Sequence, residues 1–97
     1  MQGISFEELY EFVSNSHDIE FTYNKTNYVL QTEAGDKGYY LVIWNCNQKN
    51  PHCIAKYEIP NINLISKLTI DKILNTRCFD GKSFMEIEDS IVVDIIY

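Results

Sequence analysis

The sequence predicts an α+β domain with an N-terminal helix, a mainly antiparallel sheet of four to five strands, and two short C-terminal helices. Three observations predict it. A capping box stands near each end of the chain, Ser5 with Glu8 and Ser83 with Glu86. In such a box the Ser hydroxyl accepts the amide of the Glu three residues on, and the carboxylate reaches back to the Ser amide. Between the boxes, apolar residues recur at every second position, the spacing of half-buried strands. The 97 residues suit a single compact domain spanning 1–97, and 45% of them are hydrophobic, enough for a core and too many for a disordered chain.

The first helix is expected over residues 6–14. Phe6, Leu9, Tyr10 and Val13 share one stripe, Glu7, Glu8 and Glu11 the opposite one, and Ile4 and Leu9 stand where a hydrophobic staple belongs. From Asp18 the period changes to two. Ile19, Phe21 and Tyr23 alternate with polar residues, residues 24–27 make a turn, and Tyr28, Leu30 and Thr32 continue as the second arm of a hairpin. After the loop at residues 34–38, residues 39–46 read as the most apolar strand, with Tyr39, Leu41 and Ile43 on one face and Tyr40, Val42 and Trp44 on the other. A strand apolar on both faces is normally covered on both. The expectation is therefore a sheet that curls or is covered, the alternative a partner or dimer surface containing Tyr40 and Trp44. Residues 54–59 form a fourth strand ended by Pro60, residues 61–68 fit neither period, and Thr69 caps a helix over residues 70–75. The Asp80-Gly81 turn, a helix on Phe84, Ile87 and Ile91, and a last apolar strand over residues 92–97 complete the chain.

Charge is the most informative part of the composition. Residues 1–22 hold five acids and no Lys or Arg, residues 23–78 seven bases against four acids, and residues 79–97 five acids against Lys82. The three segments carry −5, +3 and −4 of the total −6. Nucleic acid binding needs clustered cations, so direct contact with nucleic acid is not expected. An acidic surface suits a basic protein partner instead. No apolar run reaches membrane-spanning length, and the first residues lack the basic and apolar regions of a secretory signal. Three cysteines without paired spacing, Cys46, Cys53 and Cys78, fit reduced thiols in a reducing, cytoplasmic compartment.

Several motifs invite chemistry and are better read as structure. Thr76 to Ser83, T-R-C-F-D-G-K-S, resembles the end of a phosphate-binding loop, but Thr stands where its first Gly belongs and no βαβ unit surrounds it. Cys46, His52 and Cys53, with His17 or Cys78, lack the C-x-x-C spacing of zinc sites. His52 and Cys53, being adjacent, point apart on a strand and make a poor nucleophile pair. The carboxylates Glu7, Glu8 and Glu11, and Glu86, Glu88 and Asp89, fall on outer helix faces rather than in a cleft. No metal, cofactor or catalytic residue is expected.

The closing stretch F-D-G-K-S-F-M-E-I-E-D-S-I, with S-F-E-E-L-Y near the N-terminus and the I-E-F-T-Y-N…Y-V-L hairpin, resembles a group of small uncharacterised proteins of low-GC bacteria and their phages that end in F-D-G-K-S-x-x-E-[IV]. Residues 45–68 depart from that pattern. The resemblance implies a phage or mobile-element origin and brings no site residues with it. The expected function is a non-enzymatic protein-binding module, in its sharpest form a phage-encoded inhibitor that presents Glu7, Glu8, Glu11, Glu86, Glu88 and Asp89 to the basic surface of a nucleic-acid-handling host defence protein. Two alternatives stand beside it. One is a small-molecule-binding or enzymatic domain with a pocket near Tyr39, Tyr40, Trp44 and Cys46. The other is an antitoxin or immunity-type partner. The sheet is also a candidate homodimer surface.

Overall fold

The computed structural model describes residues 1–47, 49–62 and 65–97. Helix α1 (Phe6–Ser14) leads into strands β1 (Ile19–Tyr23), β2 (Thr26–Gly35), β3 (Gly38–Asn45) and β4 (His52–Ile59). Helix α2 (Lys67–Leu74), the one-turn helix α3 (Phe84–Ile87), a 3₁₀ turn at Glu88–Ser90 and strand β5 (Val92–Ile96) follow. The fold is α+β, as the alternating pattern predicts. The sheet is antiparallel in the order β4-β3-β2-β1-β5.

Strands β1 to β4 form a meander whose first two connections are two-residue turns. Between β1 and β2, Asn24 and Lys25 both take positive φ, 49° and 64°. Such a turn twists in the same sense as the strands it joins, which fixes the Tyr23–Thr26 register. The chain then has to travel from β4 at one edge to β5 at the other. It crosses over one face of the sheet, carrying α2 and α3, and α1 packs on that same face. Leu9 and Val13 of α1, Ile70, Ile73 and Leu74 of α2, and Phe84 and Ile87 of α3 share one core with Ile19, Phe21, Leu30, Leu41 and Ile43 of the strands.

Helix α2 starts one turn earlier than expected. Ser66, not Thr69, is the cap, and its hydroxyl accepts the Thr69 amide at 3.2 Å. Buried Ile65 precedes the cap and buried Ile70 follows in the next turn, the placement of a hydrophobic staple. Position three of this helix is Thr69 rather than Glu or Gln, so the sequence lacks a full capping box. Of the irregular stretch 61–68, residues 63 and 64 lie outside the described residues. Strand β4 begins at His52, two residues before the expected start at residue 54.

The turn at Asp80-Gly81 closes the core. Both residues have positive φ, 53° and 85°, and Phe79 and Lys82 exchange two backbone hydrogen bonds across it, at 2.9 and 3.1 Å. That geometry turns Phe79 inward just before Ser83 starts α3 and Phe84 follows. Phe79 packs on Phe21, Tyr23, Tyr28 and Phe84 with ring centroids 5.0–6.5 Å apart. Ser83 is 3% exposed, the one buried polar residue among those described. Its hydroxyl accepts the Glu86 amide at 3.2 Å, and its own amide donates to Glu86 Oε1 at 3.1 Å.

The two capping boxes share geometry but differ in burial, since Ser5 is exposed. Loss of a cap costs about 0.5–2 kcal/mol, and the upper end of that range is expected where the capping hydroxyl itself is buried. Ser83→Ala is expected to lower stability by about 2 kcal/mol and Ser5→Ala by about 0.5–1 kcal/mol. Urea-denaturation midpoints of the two variants compare them directly.

Candidate functional site

The two faces of the sheet are unlike. Register and alternation place Glu20 and Thr22 of β1, Val29, Gln31 and Glu33 of β2, Tyr40, Val42 and Trp44 of β3, and Lys56 and Glu58 of β4 on the face turned away from the helices. Among the described residues no helix covers this face, because every buried helix side chain belongs to the core on the other side. No described helix packs over Tyr40 and Trp44, although Val42 between them is fully buried. The physical reason is the crossing from β4 to β5, which brings all the helices to one side.

Tyr40 and Trp44 stand on the same side of β3, about 13 Å apart along it, and both are half-buried. Val42 between them is 0% exposed, with Gln31 and Lys56 as its cross-strand partners. Each ring is held. Tyr40 lies across Gly35, where an added Cβ would come within 2.6 Å of Cε2, so a glycine is needed there for space rather than for φ. Lys56 Nζ stands 4.2 Å from the Tyr40 ring centroid, within cation–π range. Trp44 Nε1 donates to Glu33 Oε2 at 2.5 Å, and Gln31 Nε2 donates to the same oxygen at 2.8 Å. At the β5 side Thr22 Oγ1 donates to Asp94 Oδ2 at 2.6 Å. Carboxylates Glu20, Glu33, Glu58 and Asp94 thus surround the aromatic centre, against one cation, Lys56.

The helix acids are divided in their commitments. Glu8 and Glu86 are held in their capping boxes, and Glu86 also meets Arg77 Nε at 3.1 Å. The Ser83 amide and then Arg77 hold the Glu86 carboxyl below its ordinary range. Glu88 accepts from the N-terminal ammonium at 2.7 Å, and this bond, followed by one with Asp89, lowers its pKa too. Both groups therefore favour the fold above the ordinary carboxylate range, and their contribution is lost as pH falls through the lowered values. The two acidic helices meet through the Phe6 and Phe84 rings, 6.4 Å apart, rather than through their acids. Glu7 and Glu11 have no cation within ion-pair distance among the described residues. They line an open groove of about 400 Å³ between α1 and α2 with Tyr10, Ser14, Lys67 and Ile70. There the Tyr10 hydroxyl donates to Asp71, and burial, then that bond, pushes the phenol up to about 12.

The remaining motifs are occupied by structure. The amides of Phe79, Lys82, Ser83 and Glu86, which a phosphate would need, all bond within the turn and the cap. His52 Nδ1 donates to the Asn50 carbonyl at 2.8 Å and Cys53 Sγ to the Ala55 carbonyl at 3.2 Å, so the two do not face each other. Burial raises the pKa of the Cys46 thiol and takes that of Cys78 to about 11, which keeps both protonated near neutrality. Among the described residues no group of three or more His, Cys, Asp and Glu is arranged to hold a metal. A smaller polar cleft of about 280 Å³ lies at Lys25, Thr26, Asn27, Cys46 and Asn47. Neither it nor the groove is lined by Tyr40 or Trp44.

The sequence points to Tyr40 and Trp44 through their alternation. It does not point to Gly35, Glu33 or Lys56, which hold them, because those contacts depend on the strand register. No family model matches the chain, and neither a curated protein nor a solved structure is significantly similar to it.

Trp44 is the single tryptophan, so its emission reports on the open face. Glu33→Ala is expected to shift that emission to longer wavelength, raise acrylamide quenching and cost about 1 kcal/mol. At pH 7.5 the exposed Cys53 is expected to react first with a thiol reagent, with Cys46 and Cys78 slower, and Cys53→Ser is expected to remove the fast phase.

Proposed function

We propose that this chain is a non-enzymatic module that binds a basic protein partner through the helix-free face of its sheet. The observation that carries the reading is the aromatic centre of that face, Tyr40, Val42 and Trp44, with its rings held in place and acids around it. Tyr and Trp are the side chains that most often dominate binding energy. Rings already held by Gly35, Lys56 and Glu33 lose little freedom on docking. The rim carboxylates steer a cationic surface onto the face and repel an acidic one. The same charge opposes the homodimer reading, because two copies face to face would bring like charges together.

The resemblance to phage-associated proteins supports a finer form of the proposal. A partner that handles nucleic acid carries Lys and Arg clusters for phosphate, and an acidic face is suited to occupy them. The finer reading is thus an inhibitor of a nucleic-acid-handling host defence protein. An antitoxin or immunity role uses the same chemistry on another target.

The test is affinity purification of wild type and of Tyr40→Ala/Trp44→Ala from a bacterial host, with mass spectrometry and a measured Kd for any recovered protein. The double variant is expected to stay folded by circular dichroism and to bind about 30- to 1000-fold more weakly. Binding of the wild type is expected to weaken as salt is raised. A partner that binds the double variant unchanged, or without salt dependence, overturns the proposal.

A further inference from the structure

The helix-free face carries a second apolar strip, on β5. Val92 pairs with Thr22 and Ile95 with Glu20, so both stand on the same side of the sheet as Tyr40 and Trp44. They are 39% and 47% exposed, and Tyr97, whose hydroxyl donates to Glu20, is 63% exposed. A register shift between Glu20 and Phe21 keeps Val92 and Ile95 on one face although they are three residues apart, while Val93 packs against the core. Register also joins the two strips. Trp44 pairs with Val29, Val29 with Glu20 and Glu20 with Ile95, one row across β3, β2, β1 and β5. Three strand spacings separate its ends, about 14 Å. Between the strips runs a lane on β1 and β2, floored by Thr22, Val29, Gln31 and the carboxylates Glu20 and Glu33. An α-helix with its side chains is about 10–12 Å across, so the lane is one helix wide. An extended segment fits less well. Laid on the face it would leave its backbone groups unpaired, and both edges resist strand addition. Gln2 already bonds to Ile91 and Val93 beside β5. Strand β4 carries Lys56 and a register shift opposite Ile43 and Trp44, with Pro51 and Pro60 beside its ends.

From this geometry we infer that the partner element is a basic amphipathic α-helix lying along β1 and β2, its apolar stripe between the Trp44 and Ile95 strips and its Lys or Arg side chains on Glu20 and Glu33. The inference rests on the reading of this face as the docking surface and names what docks there. Glu20 is oriented by the Tyr97 hydroxyl, and Glu33 by Trp44 and Gln31. A carboxylate has about four acceptor sites, so each keeps capacity for a cation. The strip from Tyr40 to Trp44 is about 13 Å long, the rise of about nine helical residues. Apolar anchors one turn apart are how a helix fills such a lane.

The test titrates isotope-labelled protein with a helix-forming peptide of about 14 residues, Leu on one face and Lys on the other, and follows amide cross-peaks. Saturable shifts are expected at residues 20–22, 29–33, 40–44 and 92–97, with a Kd of about 10–100 μM. The Leu/Glu counterpart is expected to give none, and an alternating Val/Lys peptide, which favours a strand, to bind more weakly. Ile95→Ser/Tyr97→Ser is expected to keep the wild-type circular dichroism and bind about tenfold more weakly. Ile95→Lys, which places a cation in the lane, is expected to weaken binding further. Unchanged affinity in both β5 variants, shifts confined to α1, equal binding of the Leu/Glu peptide or tighter binding of the Val/Lys peptide overturns the inference. If Tyr40→Ala/Trp44→Ala alone weakens the peptide, the inference fails and the docking face stands; if neither strip matters, both fail.

Discussion

The fold depends on how the closing turn inserts two rings under the sheet. Phe79 and Phe84 are five residues apart, and positive φ at Asp80 and Gly81 reverses the chain between them. Both rings then reach Phe21, at 6.1 and 5.3 Å, and Phe21 stacks on Tyr28 at 5.4 Å. Burial of each such side chain contributes roughly 1.5–3 kcal/mol, and each ring pair about 0.5–1.5 kcal/mol more. Against the 5–15 kcal/mol of net stability usual for a domain, this one cluster is decisive. The buried Ser83 stands between Phe79 and Phe84 in the chain, and its hydroxyl and amide are both bonded within the cap of α3.

Covering one face so completely leaves the other open. The described residues form three short α-helices, and the path from β4 to β5 commits α2 and α3 to the side where α1 packs. The open face manages its apolar residues by other means. Val42 is fully buried, Tyr40 stands against Gly35 with Lys56 over its ring, and Trp44 is tied to Glu33. A face so arranged stays compatible with water while keeping two large rings in fixed positions, and the proposed docking rests on that pairing of properties.

Electrostatics divides along the same lines. Acids needed by the fold, Glu8, Glu86 and Glu88, are bonded to helix caps or to the N-terminal ammonium. Glu7 and Glu11 on the helix side have no ion-pair partner among the described residues, while Glu33 and Asp94 on the sheet face accept from Trp44 and Thr22. One acidic composition therefore serves two purposes, and the division is made residue by residue rather than by helix.

Much of the architecture was legible in the sequence because its signals are local. A Ser–Glu box needs only three intervening bonds of helix, and alternation along a strand follows from the pleat, so α1, α3, the strands and the inward side of Phe21, Leu30, Leu41 and Ile43 could all be read. The acids of α1 could also be placed on its outer stripe. What the sequence alone left open was set by contacts between distant segments. The start of α2 at Ser66 depends on Ile65 being buried, which is a tertiary fact. The route from β4 to β5 decided which face of the sheet would be bare, and strand register decided that Glu33, Gly35 and Lys56 would hold Trp44 and Tyr40. The groove needed α1 and α2 side by side, bringing Tyr10 to Asp71 across sixty intervening residues. Local periodicity carries no information about such pairings, because each is chosen by the packing of the whole core.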